Sequence, residues 1–594
     1  MDKYSFSQRY DYRYHRLVFL LIFSFFILSF IISEISCQKK RKIIIFDSEI
    51  HLTIQGKGIQ FLINDEFEIQ PSEVIVNGIS KGNSCKKTCE LNQTLNNVTL
   101  RFNQTIESCE NMFKDLINIK EIDLSYFDFS KVINMSSMFY NCSNLDNIIF
   151  GNIDTSSVRD MSYLFYYCSS LTTIDLSQFD TSSVNNMERM FVECSSLKTL
   201  DVSSFNTSKV ISMCSMFNRC IQITSINISK FDTSRVTSMA LMFYNCTYLK
   251  SIDFGNITTP SLENMERMFY ACENITSINL ANFDTSKVTT FYRIFFYCIK
   301  LQRVELGKIN TSSAVNMRSF FYLCTNLQSA DLSSFDTSLV THMGWMFYHC
   351  YSLTSIKFSR SFNTSNVVSM YSMFCRCRLL SSLDLSSFDT SKVAEMPYMF
   401  HYCKNLRYLN ISTFSPKNLT NIEEMFEGCS SLLYLNLASF IRNNNFQMKG
   451  DLKYVTSRIC IEDINTKNYL LGPKRVSVCS DTCYNGSNIK IDPINGLCIH
   501  SCEEIGKNYE YYNTCYSECP VDTYIKNNNS KVCIDFPEYY GSQIETTIIS
   551  IDDTIIIETQ KKTNMQNIIS DIINDETHLE TNKQNITSDI INII

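Results

Sequence analysis

The sequence predicts a solenoid of the α/β class, and three observations point to it. A 26-residue unit recurs from about Asn103 to Arg442. Within each unit, one stretch spaces its apolar residues like a helix face and another alternates them like a strand. A cysteine marks one place in the unit, at Cys142, Cys168, Cys194, Cys220, Cys246, Cys272, Cys298, Cys324 and Cys350, then, after one inserted residue, at Cys377, Cys403 and Cys429. Leu116 holds that place one period earlier, which makes about thirteen copies. A fixed period of about 20 to 50 residues means units that bury their apolar faces only by stacking on neighbours. Such an array grows in one dimension, so 594 residues need not share one compact core.

The clearest copy, Cys168 to Glu193, reads C-S-S-L-T-T-I-D-L-S-Q-F-D-T-S-S-V-N-N-M-E-R-M-F-V-E. Val184, Met187, Met190, Phe191 and Cys194 stand at i, i+3, i+6, i+7 and i+10, one face of an amphipathic helix. Asp180-Thr181-Ser182 just before them offers side-chain oxygens to the helix's first N–H groups. Leu197, Leu200 and Val202 follow as L-x-x-L-x-V, with the last pair alternating as in a strand exposed on one side. Strand, turn, helix and turn in this length match the leucine-rich-repeat plan.

The segments outside the repeat divide into four. Residues 1–36 place Arg9, Arg13 and Arg16 before the apolar run Leu17–Ile32, either a cleaved signal peptide or an uncleaved signal anchor. Residues 40–105 contain short strand patterns at Ile43–Phe46, His51–Ile54 and Val74–Val76, expected to form a β-rich N-terminal cap over the solenoid of 106–442. Cys85, Cys89 and Cys109 are expected in its closure. Residues 443–536 hold Cys460, Cys479, Cys483, Cys498, Cys502, Cys515, Cys519 and Cys533. Eight cysteines so close together, three pairs of them spaced C-x-x-x-C, read as a disulfide module rather than a zinc site. Residues 537–594 form an Ile- and Asn-rich tail in which a nonapeptide starting at Gln566 nearly returns at Gln584.

An exported route agrees with the 17 N-x-[S/T] sequons, among them Asn92, Asn97, Asn103, Asn134, Asn227, Asn274, Asn410 and Asn528. A formal charge of −7 and no basic stripe within the repeats argue against nucleic acid as a partner.

The recurring string F-D-T-S-x-V-x-x-M-x-x-M-F-x-x-C-x-x-L-x-x-L-D-L-S resembles the BspA-like leucine-rich-repeat surface proteins. It runs through Phe179–Val184, Phe283–Val288 and Phe388–Val393, and through Met190-Phe191, Met242-Phe243 and Met346-Phe347 ahead of their cysteines. The resemblance implies a cell-surface or secreted protein acting in adhesion or protein binding. Thr258-Thr259-Pro260 and Ser415-Pro416-Lys417 depart from D-T-S, and Ile294 and Phe320 replace a methionine.

Two repeated residues ask for a role. Cysteines near the ends of stacked helices would lie about 8–10 Å apart, too far for a disulfide, which needs Cα atoms within about 4.4–6.8 Å. They read as buried thiols, and the off-register Cys214 and Cys375 are better placed for a local bridge. The strand position between the inward apolar residues holds Asp123, Asp175, Asp201, Asn227, Asp253, Asn279, Glu305, Asp331, Asp384, Asn410 and Asn436. Strands about 4.8 Å apart would bring these carboxylates close enough to raise one another's pKa. Hydrogen bonding, solvent or bound cations must relieve them. This row is the candidate concave binding face, for a basic or cation-assisted ligand. A glycan on Asn227 or Asn410 would obstruct a large partner there.

Catalysis finds no support. The chain lacks H-E-x-x-H, G-x-S-x-G and a phosphate-binding glycine loop, and no cofactor is expected. His342, His349 and His401 fall in the predicted repeat helices and read as surface or rim residues. The sequence therefore points to a non-enzymatic surface or secreted protein that binds an extracellular or cell-surface protein ligand. The alternative is a structural coat or stalk that self-associates.

Overall fold

The computed structural model describes residues 48–437, apart from 308, 360, 361 and 433, and the backbone of short strands between 458 and 535. Two units divide the chain, one running to Asn508 with 512–515 and the other holding 509–511 and the residues from 516 onward. In the second unit, Thr523–Ile525 pairs antiparallel with Cys533–Asp535.

The first unit begins with β1 (Ser48–Gln55), β2 (Gly58–Phe61), β3 (Glu73–Val76), β4 (Ile79–Ser80), β5 (Thr88–Leu91) and β6 (Leu95–Phe102). The first repeats add β7 (Ile119–Tyr126) and β8 (Asn147–Ile149). One sheet has the order β4-β3-β6-β1-β7-β8, and β2 pairs separately with β5. Strict alternation builds it. Ser48, Ile50, Leu52 and Ile54 of β1 and Asn96, Val98, Leu100 and Phe102 of β6 all point inward. β1 runs antiparallel to β7, whereas β7 and β8 are parallel, so the sheet changes from hairpin-like pairing to solenoid pairing at β7. The strand patterns at His51–Ile54 and Val74–Val76 fall in β1 and β3. Cys85 and Cys89 form a disulfide, while Cys109 is a buried thiol.

From Ser108 to Asn421 the chain is a leucine-rich-repeat solenoid, with twelve parallel bridges joining equivalent residues of successive coils. The helix expected in each repeat does not form. Val184, Met187, Met190, Phe191 and Cys194 are all fully buried, as their spacing required, but a string of tight turns carries them. Arg189 and Glu193 adopt left-handed φ values of 56° and 59°, and the same pair recurs in coil after coil. Each such non-glycine residue costs about 1–2 kcal/mol.

The hydrogen bonds explain why turns win. Arg189, Phe191 and Glu193 donate their N–H groups to Cys214, Met216 and Asn218 of the next coil at 2.9 Å, while Val192 and Cys194 close turns on Arg189 and Phe191. Alternate N–H groups thus pair between coils, which a helix satisfying itself internally could not do. An isolated helix of this length would also be marginal.

Three internal ladders lock the coils. Phe113, Phe139, Phe165 and their equivalents to Phe426 stack at 5.4–5.9 Å between ring centroids. Each repeat cysteine from Cys142 to Cys429 points its thiol at the carbonyl of the stacked phenylalanine one coil back, as Cys194 does to Phe165 O at 3.1 Å. Burial raises these thiols, pushing Cys246 and Cys429 up to about 12. The buried-thiol reading holds, but its reason is this sulfur-to-carbonyl contact and not helix spacing. Cys214 and Cys375 are likewise reduced thiols, so no bridge forms there.

The third ladder corrects the reading of D-T-S as a helix cap. The threonine is buried, and its hydroxyl donates to a carbonyl of the next coil, as Thr285 does to Asn310 O at 2.7 Å. The same oxygen accepts the Asn310 N–H at 2.9 Å. The aspartate accepts the N–H of the serine two residues on, an Asx turn, as Asp284 does from Ser286 at 3.0 Å. The Thr258-Thr259-Pro260 variant keeps the ladder through Thr259, which donates to Asp284 O at 2.9 Å. In Ser415-Pro416-Lys417 the ladder reaches Ser415, whose N–H donates to Thr390 Oγ1. The inserted residue falls between Phe358 and Asn363, because the strand pairing of Phe358 with Leu332 still spans 26 residues.

Candidate binding faces

The outer strands of the solenoid are β9 (Ser225–Asn227), β10 (Ser251–Asp253), β11 (Ser277–Asn279), β12 (Arg303–Glu305), β13 (Ser329–Leu332), β14 (Ser355–Phe358), β15 (Tyr408–Asn410) and β16 (Tyr434–Asn436). In β9 to β12 the central residue turns inward and its two neighbours turn out. Asn227, Asp253, Asn279 and Glu305 therefore stand in one exposed row, in register across β9/β10 and β11/β12. Asp331 continues the row on β13, opposite Lys357. Asp123 lies on β7, and Asn410 lies exposed on β15. Asp175, Asp201 and Asp384 occupy the same place in coils that lack regular strand pairing. Asn436 is buried and leaves the face.

This row is not a set of opposed charges. Asp123, Asp175, Asp201, Asp253, Asp331 and Asp384 each accept the N–H two residues ahead, at 2.8–3.0 Å. Asn227, Asn279 and Asn410 do the same at 2.8–3.1 Å. The Ser177 N–H and hydroxyl hold the Asp175 carboxyl below its usual range, and Ser203 does so for Asp201. At Asp331 burial works upward, but Ser333 and Lys357, the latter 3.1 Å away, outweigh it. The expectation that neighbouring carboxylates raise one another is thus corrected for these three aspartates. Local N–H groups are nearer and aimed at one oxygen of each.

The sequence reading missed a second face, at the residue two before the repeat cysteine. Tyr244, Tyr270, Phe296, Tyr322 and Tyr348 stack in succession with centroids 4.3–4.6 Å apart. Arg293 lies over the rings of Tyr292 and Phe296, and Arg318 lies 4.4 Å from the Trp345 centroid. Burial pushes the Tyr270 phenol up to about 12. Nearer the N-terminus, Tyr140 and Tyr166 stack at 4.6 Å beside a concavity of about 720 Å³ lined also by Lys114, Asp115, Tyr163 and Tyr167. The Tyr or Phe two residues before Cys142, Cys168, Cys246, Cys272, Cys298, Cys324 and Cys350 was the available signal.

The histidines separate three ways. His342 is exposed and bonds to Thr341. His349 is no rim residue. It is buried, stacked on Tyr348 with centroids 3.8 Å apart and bonded to the Tyr351 hydroxyl, and burial with Arg376 and Arg378 nearby keeps its imidazole neutral well below the ordinary range. His401 is partly buried, and burial lowers its pKa to about 4. One ligand atom each from His401, Glu424 and Glu427 lies within 4.8 Å of the others.

Among the sequon asparagines, Asn92, Asn97, Asn103, Asn227 and Asn410 are exposed. Asn134 and Asn274 are half-buried and donate their amides to Glu110 and to Thr247 O. The apolar run of 1–36, Asn528, the side chains of the eight cysteines from Cys460 to Cys533 and the tail of 537–594 lie outside the described residues. Among the described residues no helix is long and apolar enough to cross a membrane.

Solved structures similar to this chain include a leucine-rich repeat protein from Bacteroides ovatus ATCC 8483, 17% identical, covering 67% of this chain and 100% of that one with a TM-score of 0.40. A leucine rich cell surface protein from Faecalibacterium prausnitzii A2-165 is 19% identical, covering 52% of this chain and 83% of that one with a TM-score of 0.25. A leucine-rich repeat protein from Eubacterium ventriosum ATCC 27560 is 16% identical, covering 53% and 78% with a TM-score of 0.26. No curated protein matches the chain. The family described as "Mycoplasma protein of unknown function, DUF285" matches residues 107–223, 175–278, 263–360 and 355–457, which together span more than half of the chain. The repeat solenoid is therefore a run of DUF285 units, and this chain belongs to that family.

Proposed function

We propose that this is an exported, non-enzymatic surface protein of the BspA-like kind that binds a protein ligand along the strand face of its solenoid. The observation that carries the reading is the exposed Asp/Asn row, repeated coil after coil and held in place by the turn N–H groups. Side chains fixed before binding lose little freedom on contact, and a repeat array offers a long surface to a partner. Glycans on Asn227 and Asn410 would fence the face at β9 and β15. That leaves Asp253, Asn279, Glu305, Asp331 and Asp384 between them as the contact row, suited to a ligand with a basic patch. The buried repeat thiols argue against a coat cross-linked through the solenoid.

The test is binding of the full-length secreted protein to host-cell and matrix proteins by surface biosensor. The triple variant Asp253→Lys, Glu305→Lys and Asp331→Lys should weaken capture of a bound protein by at least tenfold and remove its salt dependence. Unchanged binding by the folded triple variant would reject the strand face.

A further inference from the structure

The aromatic ladder changes chemistry at its C-terminal end. Successive coils stack Tyr322, Tyr348, Cys375, His401 and Glu427, since Leu323, His349, Arg376 and Tyr402 donate to the carbonyls of the last four at 2.6–2.8 Å. Three coils in a row thus replace ring faces with a thiol, an imidazole and a carboxylate. Glu424, left-handed at φ 48°, brings a second carboxylate to the same spot from three residues before Glu427. The His401 Nε2 atom is 3.3 Å from Glu424 Oε2, and the Nδ1 atom is 3.7 Å from Cys375 Sγ.

We infer that His401, Glu424 and Glu427 form a binding site for a divalent transition-metal ion, with Cys375 orienting the histidine. Nitrogen and oxygen ligands about 2.0–2.1 Å from a tetrahedral zinc ion stand about 3.3 Å apart, the separation of Nε2 and Oε2 here. One imidazole with two carboxylates suits zinc or its neighbours better than calcium, which takes oxygen ligands. In the tautomer that carries its proton on Nδ1, the sulfur accepts that N–H and the Nε2 lone pair faces the two carboxylates. Such an outer partner is how metal-binding histidines are commonly held. Glu424 is 45% exposed, so the fourth position opens to water or to a donor from a partner.

The test uses full-length protein stripped with a chelator and titrated with Zn²⁺ by calorimetry, with metal content counted after dialysis. The wild type should hold one more Zn²⁺ than the Glu424→Gln/Glu427→Gln variant, and Co²⁺ loading should give a visible d–d band that the variant lacks. His401→Gln should behave alike, and Cys375→Ala should weaken binding by about tenfold. The glutamate pair is half-exposed, so its isosteric replacement decides the matter should His401→Gln or Cys375→Ala disturb folding. Equal Zn²⁺ content in the wild type and the glutamate variant, with matching circular dichroism, would overturn the site.

Discussion

Replacing Thr285 with valine distinguishes the threonine ladder from a helix cap. Valine has the shape of threonine, so packing is kept and only the hydroxyl is lost. Thr285 is fully buried, and its oxygen serves both the carbonyl and the N–H of Asn310. The Asn310 carbonyl and N–H both lose the buried Thr285 oxygen, and each such group left unsatisfied costs about 1–3 kcal/mol. Thr285→Val should therefore cost about 2–6 kcal/mol, toward the low end where water reaches the exposed Asn310. Thr285→Ser keeps both bonds and loses one methyl, about 1 kcal/mol. Asp284→Ala removes one exposed acceptor, about 0.5–1 kcal/mol. A helix cap would put the aspartate first and make valine cheap. The assay is urea unfolding of the full chain followed by far-UV circular dichroism. The lowest transition is the one to read, because a repeat array is coupled only through neighbours. If Thr285→Val proves no more destabilising than Thr285→Ser or Asp284→Ala, the ladder account is wrong.

Three further outcomes follow from the same structure. His349 has a folded pKa well below its unfolded one because it is buried and because the charges of Arg376, Arg378 and His401 disfavour its protonation. The unfolded chain therefore takes up the proton first, and stability should fall as pH drops below about 6.5, by up to about 1.4 kcal/mol per pH unit. Unfolding curves between pH 7.5 and 5 should show that slope in the wild type and a shallower one in His349→Gln. Glycan mapping of native protein should find Asn92, Asn97, Asn103, Asn227 and Asn410 occupied, and Asn134 and Asn274 largely bare because their amides are committed. Under native conditions a maleimide should label Cys214 before any repeat-register cysteine, since those are fully or almost fully buried. Labelling of Cys246 at an equal rate would refute the packed ladder.

Period, inward residues and the polar outer row could all be read from the chain. A 26-residue repeat with one apolar residue every three or four positions fixes what is buried, whatever backbone carries it. Met187, Met190, Phe191 and Cys194 are buried as that pattern requires. The row from Asp123 to Asn410 was legible because alternation assigns faces. Its electrostatics were not, since the N–H groups that lower Asp175 and Asp201 belong to a turn whose shape the sequence did not disclose. His401 stands 23 and 26 positions before Glu424 and Glu427, so only stacking brings the proposed ligands together.

The choice between helix and turns belonged to the tertiary structure alone. Apolar residues at i, i+3 and i+7 fit either, because a chain of three- and four-residue turns exposes the same side as a helix. The deciding partners were the N–H groups of Arg189, Phe191 and Glu193, which find carbonyls a whole coil away. Local sequence sets which side chains leave water. Where a backbone N–H finds its acceptor depends on what lies next to it, and in a solenoid that neighbour is another copy of the same turn.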